Sequence, residues 1–116
     1  MEEIINALDH KTPSVRSETA LFLNRVFERS TMEMLTVKLL KQLVPGLTKL
    51  CLDSTPEVRD AAFQTLGTAM KVASEKKMKP FLDKMDPVKM ARINEFYEKA
   101  KAEPAQAVDS VAVAGK

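Results

Sequence analysis

The chain has 116 residues, with 18 basic and 16 acidic side chains, 45% hydrophobic residues, three glycines, one cysteine and one histidine. These counts exclude an internal disulfide, a tetrahedral Cys/His metal site and a glycine-rich phosphate loop, so we expect no metal, no cofactor and no enzyme. The apolar stretches fall far short of the roughly 20 residues that span a bilayer, and the acidic start is unlike a signal peptide, so we expect no membrane contact.

The first two predicted helices meet at a threonine–proline pair. Residues 2–9 form the first, and Thr12-Pro13 begins the second, because threonine can cap a helix and proline presets the backbone of its first turn. From residue 13 to about residue 30, apolar side chains recur at steps of three and four, which predicts one buried stripe on an amphipathic helix. That stripe comprises Val15, Thr19, Phe22, Leu23, Val26 and Phe27.

A third helix is predicted over residues 38–52, where leucines follow helical spacing. Pro45-Gly46 falls inside it, and the sequence leaves open whether the helix is kinked there or divided into two shorter helices. Cys51 lies on the apolar side of this helix with the leucines. We therefore expect it to be a small buried hydrophobic residue.

The second threonine–proline pair, Thr55-Pro56, begins a fourth helix that runs to about residue 74. Its apolar stripe contains small residues, which predict a close approach of neighbouring helices: Val58, Ala62, Leu66, Ala69 and Ala73. Two shorter helices follow, over residues 76–85 and from Asp86-Pro87 to about residue 101. The tail, residues 102–116, has no periodicity and is predicted to be a disordered linker.

The two threonine–proline pairs belong to a longer repeat. Thr12-Pro13-Ser14-Val15-Arg16 returns 43 residues later as Thr55-Pro56-Glu57-Val58-Arg59, with four of five positions identical. Such a period is typical of HEAT and armadillo helical repeats, which span roughly 40–47 residues. We therefore predict an all-α fold, a HEAT-repeat helical solenoid of about two and a half helix pairs. Because about three repeats are usually needed for stability, we expect a piece of a longer solenoid with an exposed N-terminal face.

Two runs of the sequence resemble a known family. Residues 53–71, DSTPEVRDAAFQTLGTAMK, resemble the last repeat of a TOG domain from the microtubule-polymerase family, and residues 10–23, HKTPSVRSETALFL, resemble the repeat before it. Lys79-Pro80-Phe81-Leu82 and a closing helix at residues 84–101 are similar to the end of such a domain. Residues 1–101 would then be the C-terminal HEAT repeats of a TOG domain, a partial TOG paddle.

The resemblance implies a function and a place. TOG domains are flat paddles of HEAT repeats whose turns bind the curved αβ-tubulin heterodimer and promote microtubule growth at the plus end. It also implies other TOG domains in the same parent chain, no nucleic acid, and a location in the cytoplasm and cytoskeleton at microtubules, spindle poles or centrosome. Carried over by position, the tubulin-binding residues are Lys11, Thr12, Arg16, Ser54, Thr55 and Arg59.

Physical chemistry leaves two interpretations of the arginines. Arg16 and Arg59 lie near helix N-termini, where the helix dipole disfavours a cation by ~0.3–1 kcal/mol, so each needs another reason to be there. They could form a row of cations for acidic tubulin, because a guanidinium suits carboxylates. Alternatively, they could tie one repeat to the next through Asp9 or Asp53. Lys11 has no acidic neighbour that the fold requires, which fits exposed contact, and the expected contacts rank as Arg59, then Arg16, then Lys11.

Ser54 and Thr55 fit cap and turn positions better than contacts. Two other functions stay open at this point. A HEAT scaffold for a different protein is the main alternative, and a nucleic-acid binder is disfavoured because the net charge is only +2. Binding to tubulin through a few edge cations should weaken with salt, whereas an apolar scaffold contact should hardly respond.

Overall fold

The computed structural model describes residues 2–83 and 85–102, which contain six helices. These are α1 (Glu2–Leu8), α2 (Pro13–Glu28), α3 (Val37–Leu50), α4 (Pro56–Ala73), α5 (Glu75–Leu82) and α6 (Pro87–Ala102). The predicted helices are confirmed, with ends shifted by up to three residues. Apart from Ala102, which ends α6, the predicted linker lies outside the described residues.

The helices form two layers. Helices α1, α3 and α5 pack side by side in one layer, and α2, α4 and α6 form the other, with α4 in the middle. Each odd-numbered helix is followed by its even-numbered partner in the other layer, which is the arrangement of a HEAT solenoid. The all-α prediction is confirmed for the described residues, and the last pair, α5 and α6, completes a third repeat.

Proline rather than a side-chain cap begins α2 and α4. Thr12 and Thr55 occupy the caps with extended backbones, but neither hydroxyl accepts a cap hydrogen bond. The amide of Arg16 donates instead to the Thr12 carbonyl at 3.2 Å, and that of Arg59 to the Thr55 carbonyl at 3.1 Å. The predicted role of the prolines is therefore supported, while the predicted side-chain caps are wrong.

Helix α3 is one continuous helix that runs through Pro45, so of the two possibilities left open the divided helix is ruled out. Its N-cap is Thr36, whose hydroxyl accepts a hydrogen bond from the Leu39 amide at 3.2 Å. Gly46 lies against Leu8 of α1, and a Cβ there would come within 3.0 Å of the Leu8 Cδ1 atom. Cys51, directly after the helix, is buried as expected, and burial raises the pKa of its thiol to about 12.

The predicted stripe of α2 is partly wrong. Leu23 and Phe27 are buried, but Phe22 is 45% exposed and Val26 is 39% exposed. The side of α2 that packs on α4 instead buries Ala20 and Asn24. Phe22 lies in an open groove between α1 and α2, and this groove is the exposed N-terminal face that the sequence predicts.

Close approach of the helices in the second layer is confirmed. A Cβ on Gly67 of α4 would lie 2.8 Å from both the Phe96 Cβ and the Tyr97 amide nitrogen of α6. On the opposite side of α4, buried Thr68 donates a hydrogen bond to the Asn24 side-chain oxygen of α2 at 2.5 Å. The small residues of α4 therefore bring it against a neighbour on each side.

Candidate partner-binding edge

The two predicted turns lie together at one edge of the solenoid. Helices α2 and α4 run parallel, because Asn24 contacts Thr68 near their C-termini while Arg16 contacts Asp53 near their N-termini. The α1–α2 turn, residues 9–12, and the α3–α4 turn, residues 51–55, are consequently neighbours. We call this surface the turn edge.

Arg16 joins the two turns. Its Nη1 donates to the carbonyls of His10 at 2.6 Å and Lys11 at 3.0 Å, and its Nη2 donates to Asp53 Oδ1 at 3.2 Å. Its Nε lies 2.8 Å from Asp53 Oδ2, an ion-pair contact in which the N–H is not aligned for a hydrogen bond. The side chains of Arg16 and Asp53 are only 16% and 11% exposed. Of the two interpretations, the tie between repeats is therefore present at Arg16, through Asp53.

Asp53 also organises its own turn. Its Oδ1 accepts a hydrogen bond from the Thr55 amide at 2.9 Å, and its backbone carbonyl accepts one from Arg59 Nη1 at 2.8 Å. Burial raises the pKa of Asp53, but the hydrogen bonds from Thr55 and Arg16 outweigh it and leave this pKa below its ordinary value. The carboxylate therefore stays ionised at neutral pH and holds Arg16, while the backbone carbonyl of the same residue holds Arg59.

Asp9, the other candidate partner, is engaged elsewhere. Its carboxylate lies 2.7 Å from Lys49 Nζ in an exposed ion pair. The hydrogen bond and charge of Lys49 lower the pKa of Asp9. The lysine belongs to α3, so this contact also links the first repeat to the second.

Two cations of the turn edge have no acidic partner among the described residues. They are Lys11, which is exposed, and Arg59, which is half-buried. Thr12 and Ser54 are exposed beside them, and Thr55 is half-buried. The structure thus brings all six predicted residues to one edge. Arg16 lies beneath that edge, Lys11 is exposed and Arg59 is half-buried.

The sequence predicts a helix break at Asp86-Pro87 but does not assign this third turn, residues 83–86, to the same edge; Lys84 is outside the described residues. Helix α6 runs parallel to α4, as the 3.3 Å contact of Arg92 with Asp60 near both N-termini shows. Val88 in its first turn is 73% exposed, and Leu52 in the preceding turn is 70% exposed. The signal was Asp86-Pro87, an acceptor followed by proline, since Asp86 Oδ1 accepts the Val88 amide at 2.7 Å.

Within residues 2–83 and 85–102, no three His, Cys, Asp or Glu side chains are grouped so as to hold a metal ion. None of the described helices combines the length and the apolar character needed to cross a bilayer.

Comparison with known proteins gives a consistent family. Residues 1–97 match the family model described as XMAP215/Dis1/CLASP, TOG domain. The protein mini spindles of Drosophila melanogaster is 44% identical over 100 residues, covering 86% of this chain and 5% of that protein. Zygote defective protein 9 of Caenorhabditis elegans is 36% identical over 114 residues, covering 95% of this chain and 8% of that protein.

Solved structures agree with the sequence comparison. A chain from work on microtubule plus-end tracking by XMAP215, CLIP-170 and EB1 matches with a TM-score of 0.82 and 44% identity, covering 85% of this chain and 41% of that one. A chain from work on tubulin recruitment and assembly by microtubule polymerases with TOG domain arrays matches with a TM-score of 0.72 and 32% identity, covering 84% and 21%. This chain thus spans less than half of each relative.

Proposed function

The chain belongs to the XMAP215/Dis1/CLASP TOG-domain family, and we propose that its turn edge is part of a binding surface for the αβ-tubulin heterodimer. The matched polymerases recruit and assemble tubulin, and this chain shares their fold. One observation carries the proposal. Arg16 ties two turns into a single edge, where exposed Lys11 and half-buried Arg59 have no carboxylate partner among the described residues.

The charges of this edge suit an acidic partner. Arg59 uses Nη1 on the Asp53 carbonyl, which holds the guanidinium in place and leaves its other donors for a carboxylate. Because the Arg59 side chain is already held in place, it loses less conformational entropy when a partner binds. Lys11 adds a second positive charge in the neighbouring turn. We assign these two side chains to direct contact and Arg16 to positioning.

The hydroxyl residues complete the surface. Thr12 and Ser54 are exposed, Thr55 is half-buried, and neither threonine uses its hydroxyl as a helix cap. They can therefore donate to or accept from a protein partner. We assign them a secondary share of the affinity, because hydrogen bonds of neutral groups at an exposed edge contribute less than charged ones.

In the longer parent protein, we propose that this module acts with further TOG domains. Linked modules raise the effective concentration of tubulin near the growing microtubule end, which promotes growth without bond chemistry. The chain would then work at microtubules and spindle poles. This mechanism assigns the module stoichiometric capture rather than turnover.

The test is co-elution of the 116-residue chain with purified αβ-tubulin in size-exclusion chromatography at low salt. The comparison variant carries Lys11→Ala and Arg59→Ala, and it should bind about tenfold more weakly, since two charged contacts at an exposed edge are each worth about 0.5–1 kcal/mol. The matched control carries Lys38→Ala and Lys41→Ala, which removes two exposed charges from another surface. Arg16 is left intact, because it holds the turns.

If the Lys11/Arg59 variant binds αβ-tubulin as tightly as the natural chain, these two side chains do not contribute to tubulin binding. A longer version that adds about 120 upstream residues, enough for six repeats of about 40, tests whether the edge is only part of the site. If neither version binds tubulin, the scaffold function takes the place of this proposal. Binding that persists at high salt would also favour the scaffold, since an apolar contact is not screened.

A further inference from the structure

The chain contains two threonine–proline dipeptides, Thr12-Pro13 and Thr55-Pro56, and no serine–proline dipeptide. Proline-directed protein kinases accept a serine or threonine followed by proline. Proline suits the apolar pocket after the acceptor because it has no N–H to leave unsatisfied there. Both dipeptides lie on the turn edge, and neither threonine hydroxyl is engaged as a cap. The local sequence alone would make them equivalent acceptors.

The structure gives Thr12 open surroundings with a net positive charge, because Lys11 has no acidic partner among the described residues, while Arg16 is paired with Asp53 and Asp9 with Lys49. All residues from 9 to 14 are exposed, and Thr12 itself is extended, with φ −85° and ψ 121°. Lys11 precedes it, and the Arg16 guanidinium lies against the carbonyls of His10 and Lys11. A phosphate on Thr12 would meet these cations at the start of a helix, where an anion is favoured. Because residues 10–12 lie outside a helix, a kinase has to open only the first turn of α2.

Thr55 has the same backbone and different neighbours. Its φ of −91° and ψ of 119° match those of Thr12, but the residue is half-buried. Its amide donates to Asp53 Oδ1 at 2.9 Å, so a carboxylate already lies beside it. Glu57 follows two residues later. A phosphate dianion at Thr55 would face the carboxylates of Asp53 and Glu57, which offset the positive charges of Arg16 and Arg59 in the same turn.

We propose that Thr12, and not Thr55, is the acceptor of a proline-directed protein kinase. In this step the Thr12 hydroxyl oxygen bonds to the γ-phosphorus of ATP, the bond to the β-phosphate oxygen breaks, and ADP leaves. The hydroxyl proton passes to the kinase base. The phosphate on Thr12 carries a charge of about −1.5 to −2 at neutral pH. It therefore outweighs the positive charge of Lys11 in the turn of residues 9–12. Weaker binding of an acidic partner follows, a consequence that rests on the proposed function.

The experiment incubates the full chain with a cyclin-dependent kinase and ATP and maps the phosphate by peptide mass spectrometry. Thr12 should be modified about tenfold faster than Thr55, the ratio that a repulsion of about 1.4 kcal/mol produces. Thr12→Ala should abolish most of the uptake, and it keeps the fold because Thr12 makes no side-chain cap bond. Thr12→Ser should restore uptake. Thr55→Ala is the matched control and should leave it unchanged.

Equal rates at both threonines, a faster rate at Thr55, or no uptake would overturn the assignment. Affinity for αβ-tubulin is then compared between the unmodified and the phosphorylated chain, with a loss of about tenfold expected from removing and reversing one charged contact. Equal affinities would overturn the predicted charge effect. If the unmodified chain does not bind tubulin, the proposed function fails, while phosphate mapping still decides the assignment of Thr12.

Discussion

Replacing Gly67 by alanine separates two opposing effects of a methyl group in a helix. In an exposed helix the change stabilises the protein by about 1 kcal/mol, because alanine has the higher helix propensity. At Gly67 the new Cβ would lie 2.8 Å from the Phe96 Cβ and the Tyr97 amide nitrogen, and 3.1 Å from the Ile93 carbonyl oxygen. Carbon atoms pack best at about 3.5–4.0 Å, so α4 and α6 would have to separate by roughly 1 Å.

Backbone atoms form most of this contact, so no side-chain rotation can relieve it. Overpacking of a core costs about 1–3 kcal/mol, and the upper part of that range applies here. After the gain in helix propensity, we expect Gly67→Ala to destabilise the chain by about 1–2 kcal/mol. Chemical unfolding followed by circular dichroism measures this as a lower midpoint at an unchanged slope. The melting temperature should fall by roughly 4–8 °C per kcal/mol.

Gly46→Ala is the matched control, because it places the same methyl group in another helix. Its Cβ would lie 3.0 Å from the Leu8 Cδ1 atom, the end of a side chain that can rotate away, and 3.6 Å from the Leu8 Cβ. The strain and the propensity gain should nearly cancel, leaving a change within about 0.5 kcal/mol. If Gly67→Ala is as stable as Gly46→Ala or more stable than the natural chain, the reasoning from close helix approach is refuted.

Three further changes test the packing between repeats. Asp53→Asn should destabilise the chain by about 2–4 kcal/mol because it leaves Arg16 without its carboxylate. Folding lowers the Asp53 pKa, so the difference in unfolding free energy between the natural chain and Asp53→Asn should be fully present above about pH 4. It should shrink as the pH falls through the lowered pKa, and urea unfolding at several pH values measures it. Thr68→Val, which removes the hydrogen bond to Asn24, should cost about 1–2 kcal/mol in the same assay, and an unchanged midpoint would contradict a role for that bond. Phe22→Ser, in the open groove between α1 and α2, should cost at most about 1 kcal/mol in the same assay because the side chain is 45% exposed; a core-sized loss would contradict the open groove.

The sequence predicts the helices well because their start signals are local. Thr12-Pro13 and Thr55-Pro56 begin helices for reasons contained in each dipeptide, so no tertiary contact is needed to predict them. Pro45 shows the limit of this approach. Proline weakens a helix locally, but packing of the surrounding leucines keeps α3 in one piece.

The contacts between repeats could not be derived in the same way. Arg16 has two acidic candidates at comparable turn positions, and only the three-dimensional arrangement selects Asp53, 37 residues away, over Asp9. Phe22 and Val26 follow helical spacing as well as Leu23 does. Periodicity gives the width of an apolar face, but it does not say how much of that face a neighbouring helix covers.

Helix α4 packs against α2, α3, α5 and α6, whereas α1 touches the rest mainly through α2 and α3. In a long solenoid, each repeat contacts only its neighbours, and segments can open independently. Because α4 packs against four of the other five helices, its amide protons should exchange with solvent only when the whole unit opens. The amides of α1 should exchange through local fraying at the exposed face. Exchange should therefore be slowest in α4 and fastest in α1, while Arg16 keeps residues 10 and 11 attached to the second turn.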